Sequence, residues 1–201
     1  MTRGHSSAKY VEVNHQLLKG PNVSFLADGM LGNIARKLRF FGFDTLYIAH
    51  AHDNEILKIG IEQDRVILTA DKELFKRIVK AYARGVLVDR VTTELEVLVD
   101  ILAKSGVKSL YMDCIGSRCS VCNGLLEERT SDQVKNDIVI VPNRVIAYYN
   151  RFFQCTTCGK IYWAGNHFRS ISALARNLQA RLTVRTSTTM PSALSPKVKI
   201  P

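Results

Sequence analysis

Ser24-Phe25-Leu26-Ala27-Asp28, Val66-Ile67-Leu68-Thr69-Ala70-Asp71 and Val86-Leu87-Val88-Asp89 are three short apolar runs, and each stops on an aspartate. Near-continuous apolar runs of this length suit strands covered on both faces, which are parallel strands. In an open α/β sheet the ligand crevice lies beyond the carboxyl ends of such strands. If the runs are neighbouring strands, their acids meet at one edge. Carboxylates about 5 Å apart repel by roughly 3 kcal/mol per pair at an effective dielectric near 20. Such a cluster holds either protons or a cation.

Between the runs, apolar residues recur at helical spacing. Met30, Leu31, Ile34, Leu38 and Phe41 follow the first run, and Gly42 punctuates their end. Thr45–Ala49 reads as a further strand, with His50, Ala51 and His52 leading into Asp53. Asp53 is expected to N-cap a helix carrying Ile56, Leu57 and Ile59. A helix over 72–83 follows the third strand. Thr93–Lys104, with Leu95, Leu98, Val99 and Leu102 on one face, follows the fourth. This alternation predicts right-handed crossovers and an α/β fold, a parallel sheet with helices on both faces.

Taken singly, each acid has a structural role open to it, since an N-cap contributes about 1 kcal/mol. Position argues for more: every one of the four strands delivers an acid at or just after the same edge. Asp28, Asp53, Asp71 and Asp89 are therefore the candidate catalytic residues, and Asp28 and Asp71 the candidate ligands of Mg²⁺ or Mn²⁺. Hard divalent cations take oxygen ligands, and Mg²⁺ keeps water and substrate phosphate beside a few carboxylates. Carboxylates, a basic surface and no phosphate-binding glycine loop point to metal-assisted phosphodiester hydrolysis. Arg36, Lys37 or Arg39 on the first helix are expected to hold the RNA backbone. Two rivals stand beside this reading. A phosphoacceptor receiver domain wants an acid doublet after its first strand and a late lysine, but Gly29-Met30 follows Asp28 and Arg90-Val91 follows Asp89. A non-catalytic RNA-binding adaptor would leave the acidic edge inert.

The 201 residues carry a net charge of +10, unevenly spread: +3 over residues 1–110 and +7 over 111–201. No acidic residue follows Asp137. A one-signed stretch suits a polyanion. No amphipathic helix with a wide apolar face is legible there, which favours nucleic acid over membrane. No apolar run approaches the roughly 20 residues that span a bilayer. Met1–Pro21 lacks the apolar segment of a secretory signal, so a cytoplasmic protein is expected. Protein partners are not legible.

After Gly106 the texture changes. Cys119-x-x-Cys122 and Cys155-x-x-Cys158 can set four thiolates tetrahedrally around Zn²⁺. Disulfides are disfavoured without a secretory signal, and a redox motif needs only one pair. A closed four-thiolate site folds a module rather than catalyses. Cys114 is left as a free thiol, and His167 is expected to pack rather than ligate. Tyr148, Tyr149, Phe152, Phe153, Tyr162 and Trp163 stand among Arg144, Arg151 and Lys160. They either form the small core of the ribbon or stack on unpaired bases. Ile138–Val141 reads as a short β-like stretch. The expected organisation is an N-terminal extension (1–20), a nuclease domain (21–110), a zinc-ribbon module (111–182) and a disordered basic tail (183–201).

The ordered set of motifs resembles one family. Phe25-Leu26-Ala27-Asp28-Gly29-Met30-Leu31-Gly32 runs through Ala35-Arg36-Lys37-Leu38-Arg39 to Gly42-Phe43-Asp44-Thr45. Asp53-Asn54-Glu55-Ile56-Leu57 and Ile67-Leu68-Thr69-Ala70-Asp71-Lys72-Glu73-Leu74 follow, then Arg118-Cys119-x-x-Cys122-Asn123-Gly124 and Cys155-x-x-Cys158-Gly159-Lys160-Ile161-Tyr162-Trp163. Together they resemble the Mut-seven C-terminal RNase family, a branch of the PIN-like nucleases, over about residues 23–170. The resemblance implies a PIN-like α/β nuclease core with a C-terminal zinc ribbon, acting on RNA. It carries the family's acids onto Asp28, Asp53 and Asp71. Asp44 also matches, inside a turn where it can serve the fold. Family members often carry Arg immediately before the third acid. This chain has Ala70 there, which removes a candidate phosphate contact.

Overall fold

The computed structural model describes residues 23–89, 91–110, 112, 116–135 and 141–188. Four strands, β1 (Phe25–Ala27), β2 (Thr45–Tyr47), β3 (Val66–Thr69) and β4 (Gly85–Leu87), form one parallel sheet in the order β2-β1-β3-β4. Between and after them run α1 (Gly32–Phe40), α2 (Asp53–Glu62), α3 (Lys72–Lys80) and α4 (Glu94–Lys104). The expected α/β alternation is what the chain forms, with element ends shifted by one to a few residues. His52 rather than Asp53 takes the N-cap position of α2, which leaves Asp53 in the first turn.

Alternation along the strands sorts the two faces. Phe25 and Ala27 of β1 and Val66 and Leu68 of β3 pack with Leu31, Ile34 and Leu38 on one side. Leu26 and Ile67 point to the other side, against Ile56 of α2 and Leu74 and Ile78 of α3. The helix α1 ends in a Schellman turn. The Gly42 N–H donates to Arg39 O at 2.9 Å, and the Phe43 N–H donates to Leu38 O at 3.0 Å. Gly42 takes φ +90°, and a Cβ there would meet Gly116 O at 2.6 Å. Only glycine fits both demands.

A second sheet is antiparallel: β5 (Leu126–Thr130), β6 (Arg151–Cys155) and β7 (Ile161–Trp163), in that order. Two short helices, α5 (Ser131–Lys135) and α6 (Asn143–Tyr148), lie between β5 and β6. Phe152 packs towards them with Val134 and Ile146, while Phe153 packs with Cys119, Leu126 and Cys155. The expected β-like stretch Ile138–Val141 lies outside the described residues but for Val141.

The last helix, α7 (Asn166–Thr188), corrects two expectations. It carries the chain as helix through Thr183–Thr188, where a disordered tail was expected; residues 189–201 lie outside the described set. It is also amphipathic. Ile171, Ala175, Leu178 and Leu182 form a buried stripe in the same core as Leu98 and Ile101 of α4. Leu178 and Leu182 are fully buried. The arginines between them had masked the stripe, but Arg181 and Arg185 turn outward to Glu96 and Asp100 of α4. Among the described residues no helix is long and apolar enough to cross a membrane.

Candidate active site

The strand order reverses at β1. The chain goes from β1 to β2 on one side, then crosses to β3 on the other. The crevice of an open α/β sheet opens at such a switch point, beyond the carboxyl ends of the two diverging strands. Asp28 follows β1 there, and Asp71 follows β3. Asp28 is buried, with 9% exposure. Its Oδ1 accepts the Met30 N–H at 3.0 Å, and its Oδ2 accepts the Thr69 hydroxyl. The same Thr69 oxygen accepts the Asp71 N–H at 3.0 Å. The Thr69 hydroxyl therefore ties the Asp28 carboxylate to the backbone N–H of Asp71. Asp71 caps α3: its Oδ1 accepts the N–H groups of Glu73 at 2.6 Å and Leu74 at 3.2 Å.

The other two acids have partners of their own. Asp53, at the start of α2, accepts a hydrogen bond from Arg77 Nη1 of α3 at 3.0 Å. Asp89 is exposed, and its Oδ1 accepts the Val91 N–H at 2.8 Å. Its strand β4 is separated from β1 by β3, about two strand spacings or roughly 10 Å. The four acids share the edge, but no set of three or more carboxylates closes to within 4.8 Å among the described residues. This donor set fits Mg²⁺, which is usually held through one or two carboxylates with water and substrate phosphate. Thr69 and Arg77 were not read as site residues. A hydroxyl two positions before an acid is a faint signal in sequence, and the Arg77–Asp53 pair is set only by the packing of α3 beside α2.

The three cations of α1 part company. Arg36 is exposed, with a long contact to Asn33 Oδ1 at 3.5 Å. Lys37 pairs with Glu94 of α4 at 2.6 Å. Arg39 does not face solvent at all, with 6% exposure. Its Nε donates to Thr45 O at 2.9 Å, and its Nη1 donates to Ser120 O at 3.0 Å and Val121 O at 3.1 Å. The expectation that Arg39 holds RNA is corrected: its guanidinium is enclosed between α1, β2 and the first cysteine loop. Burial opposes its charge, and the neighbouring Cys119 and Cys122 sulfurs and Asp44 favour it. Arg39→Ala is expected to destabilise the protein by about 1–3 kcal/mol, the cost of leaving buried carbonyl acceptors without their donor. Denaturant unfolding measures it, and Arg39→Lys should rescue little because a point charge cannot span three carbonyls.

The same junction explains Asp44. Arg65 grips its two oxygens at 2.9 and 3.2 Å, and Asn123 Nδ2 donates to Oδ1 at 2.8 Å. Burial raises the Asp44 carboxyl, yet these bonds and the Arg65 and Arg118 charges hold it below its ordinary value. Asn123 Oδ1 in turn accepts the Thr45 N–H at 3.0 Å. All of these contacts lie at the amino ends of β1 and β2, so the ribbon docks on the sheet edge opposite Asp28.

The four sulfurs of Cys119, Cys122, Cys155 and Cys158 all lie within 4.8 Å of one another. Cys119 and Cys158 are 3.6 Å apart, and Cys122 and Cys155 3.4 Å. Tetrahedral Zn²⁺ with bonds of about 2.3 Å needs sulfurs about 3.8 Å apart, so the set fits zinc. The cysteines are free rather than disulfide-bonded. The N–H groups of Thr157 and Cys158 point at Cys155 Sγ from 3.4 and 3.5 Å. A Cβ at Gly124 would come within 2.8 Å of that sulfur. Burial opposes charge on Cys119, but the Tyr162 hydroxyl, the Cys122 and Val121 N–H groups and the Cys158 thiol bring it down to about 6. Cys122 is pushed up to about 12 by burial and the neighbouring thiols, against the pull of the Gly124 N–H. A dication removes this inequality by deprotonating all four.

A family model described as Mut7-C RNAse domain matches residues 23–175. The chain belongs to this family. The matched Mut7-C RNAse domain opens at β1 and closes inside α7, so it takes in the acidic edge and the cysteine cluster together. Comparison with curated proteins and with solved structures gives no match. The resemblance read from the motifs and the matched Mut7-C RNAse domain agree in family and nearly in extent.

Proposed function

We propose that this Mut7-C RNAse domain is a metal-dependent ribonuclease that hydrolyses RNA phosphodiester bonds at the carboxyl edge of its parallel sheet. The observation that carries the reading is the Thr69 hydroxyl, which donates to the Asp28 carboxylate and accepts the Asp71 backbone N–H across the switch point, so that both acids start from one strand end. When bound, Mg²⁺ or Mn²⁺ supplies an activated water and neutralises charge on the phosphate. Asp28 and Asp71 would hold the ion, and Thr69 orients Asp28. Asp53 and Asp89 add negative charge to the same edge, and Arg77 holds the Asp53 side chain in place. Arg36 holds the backbone, with Lys37 in support. The zinc ribbon organises the opposite edge and adds cationic surface for RNA.

The test is metal dependence. The zinc-loaded chain, exchanged into buffer free of other divalent ions, is incubated with single-stranded RNA while Mg²⁺ or Mn²⁺ is added. RNA is expected to shorten only with the added ion and to stay full length without it. RNA that binds equally in both conditions and is never shortened would overturn the nuclease and leave an RNA-binding adaptor.

A further inference from the structure

Beyond the carboxyl end of α1, between β7 and the start of α7, lies a cavity of about 400 Å³. Phe40, Tyr162, Trp163, His167 and Phe168 line it, with Lys160 beside them. The aromatic walls are braced. Phe40 meets Tyr162 edge to face, with centroids 6.0 Å apart, and meets His167 likewise at 5.8 Å. The Tyr162 hydroxyl is tied at 3.1 Å to each of Ser120 N, Ser120 Oγ and Cys119 Sγ. Lys160 Nζ stands 5.7 Å from the Tyr162 ring centroid. No acidic residue lines the cavity, and none follows Asp137 in the chain. Exposed Arg169 and Arg176 continue the positive surface along α7.

Flat aromatic faces beside a lysine, in a wholly cationic neighbourhood, match a flat π-ligand carrying an anion. An unpaired nucleobase with its phosphate has that chemistry: the base stacks on aromatic side chains and the phosphate pairs with the cation. We propose that this cavity receives one unpaired nucleobase of RNA, with its phosphate at Lys160. The identity of the ligand rests on the ribonuclease reading. The nine residues of α1 separate the cavity from the turn after Asp28 by roughly 13 Å. The captured base therefore anchors the strand at a distance from the acids rather than entering the cleavage site, and a fully paired duplex offers no base to it.

Trp163 is the sole tryptophan of the chain, and it lines this cavity, so its emission responds to a ligand bound there. The full-length, zinc-loaded Asp28→Asn protein keeps the RNA intact during the measurement. An unlabelled single-stranded oligoadenylate is titrated while Trp163 emission is read, and a labelled copy gives binding by anisotropy. Saturable quenching at the midpoint of the anisotropy curve is expected, with a blunt duplex leaving Trp163 unchanged. His167→Ala and Lys160→Ala, both at exposed positions, should each weaken single-strand binding about tenfold, equivalent to about 1.4 kcal/mol. Single-strand binding with silent Trp163, quenching by the duplex as strong as by the single strand, or indifference to both substitutions would overturn the cavity proposal alone. No anisotropy change with any RNA would overturn the ribonuclease reading and the cavity proposal with it.

Discussion

Asp28→Asn is expected to lower RNA cleavage at saturating Mg²⁺ by at least about a hundredfold while leaving the fold intact. Residues behind a metal ligand already cost 10–100-fold when changed, so a direct ligand belongs at or above the top of that range. The substitution keeps the shape. The amide oxygen still accepts the Met30 N–H, and only the acceptor for the Thr69 hydroxyl is exchanged for a donor. A lost hydrogen bond of this kind is worth about 1 kcal/mol, a shift of roughly 2–4 °C in Tm for a chain of this size. Single-turnover cleavage and a melting curve on one preparation separate the two effects. Asp71→Asn should behave like Asp28→Asn. Asp89→Asn should fall far less, because Asp89 follows β4, about two strand spacings from β1. Undiminished turnover in Asp28→Asn would remove the metal site from this edge.

Loss of the cysteine site is expected to act on folding instead. Structural Zn²⁺ sites of small modules contribute on the order of 10–16 kcal/mol, comparable to the whole stability of a domain. Cys119→Ser or Cys155→Ser should therefore abolish stoichiometric zinc and unfold the ribbon, because Leu126 and Phe153 have little core besides the sulfurs. The damage should spread to the sheet. Arg39 would lose Ser120 O and Val121 O, and Asp44 and Thr45 would lose Asn123. A Tm lower by more than roughly 10 °C is expected, a loss of several kcal/mol. Zinc content by metal analysis and thermal melting check it, with Cys114→Ser as the control that should keep its metal. The pH dependence has one sign: the ligands bind as thiolates, so zinc is released as pH falls. A Cys119→Ser protein that melts with the parent would show that the module folds without its metal.

These outcomes rest on features of unequal visibility along the chain. The parallel sheet was legible because strands buried on both faces must be apolar throughout, and runs such as Val66–Thr69 can be little else. The helices showed themselves by period, and α3 also by Asp71, which caps it before Lys72. Spacing alone sufficed for the cysteine set, since four sulfurs in two x-x pairs need few other instructions. The acids at the strand ends were legible as candidates, because parallel strands all expose their carboxyl ends on one side.

What escaped linear reading were relations between distant segments. Thr69 looks like one more β-branched strand residue until β3 is laid against β1, and only then does its hydroxyl tie the Asp28 carboxylate to the backbone of Asp71. Arg39 is one cation among three on α1. Its neighbours Arg36 and Lys37 face outward, and a rotation of about 100° per residue turns Arg39 under the ribbon, beside carbonyls more than 80 positions away. Ile171, Ala175, Leu178 and Leu182 are diluted by arginines, so their stripe becomes evident only where α4 covers it. Local pattern carries strand, helix and zinc knuckle because each is decided by a few consecutive residues and the burial of their own faces. The switch point, the docking edge of the ribbon and the aromatic cavity are decided by how those pieces meet, which depends on contacts between residues too far apart in the chain to leave a joint mark on it.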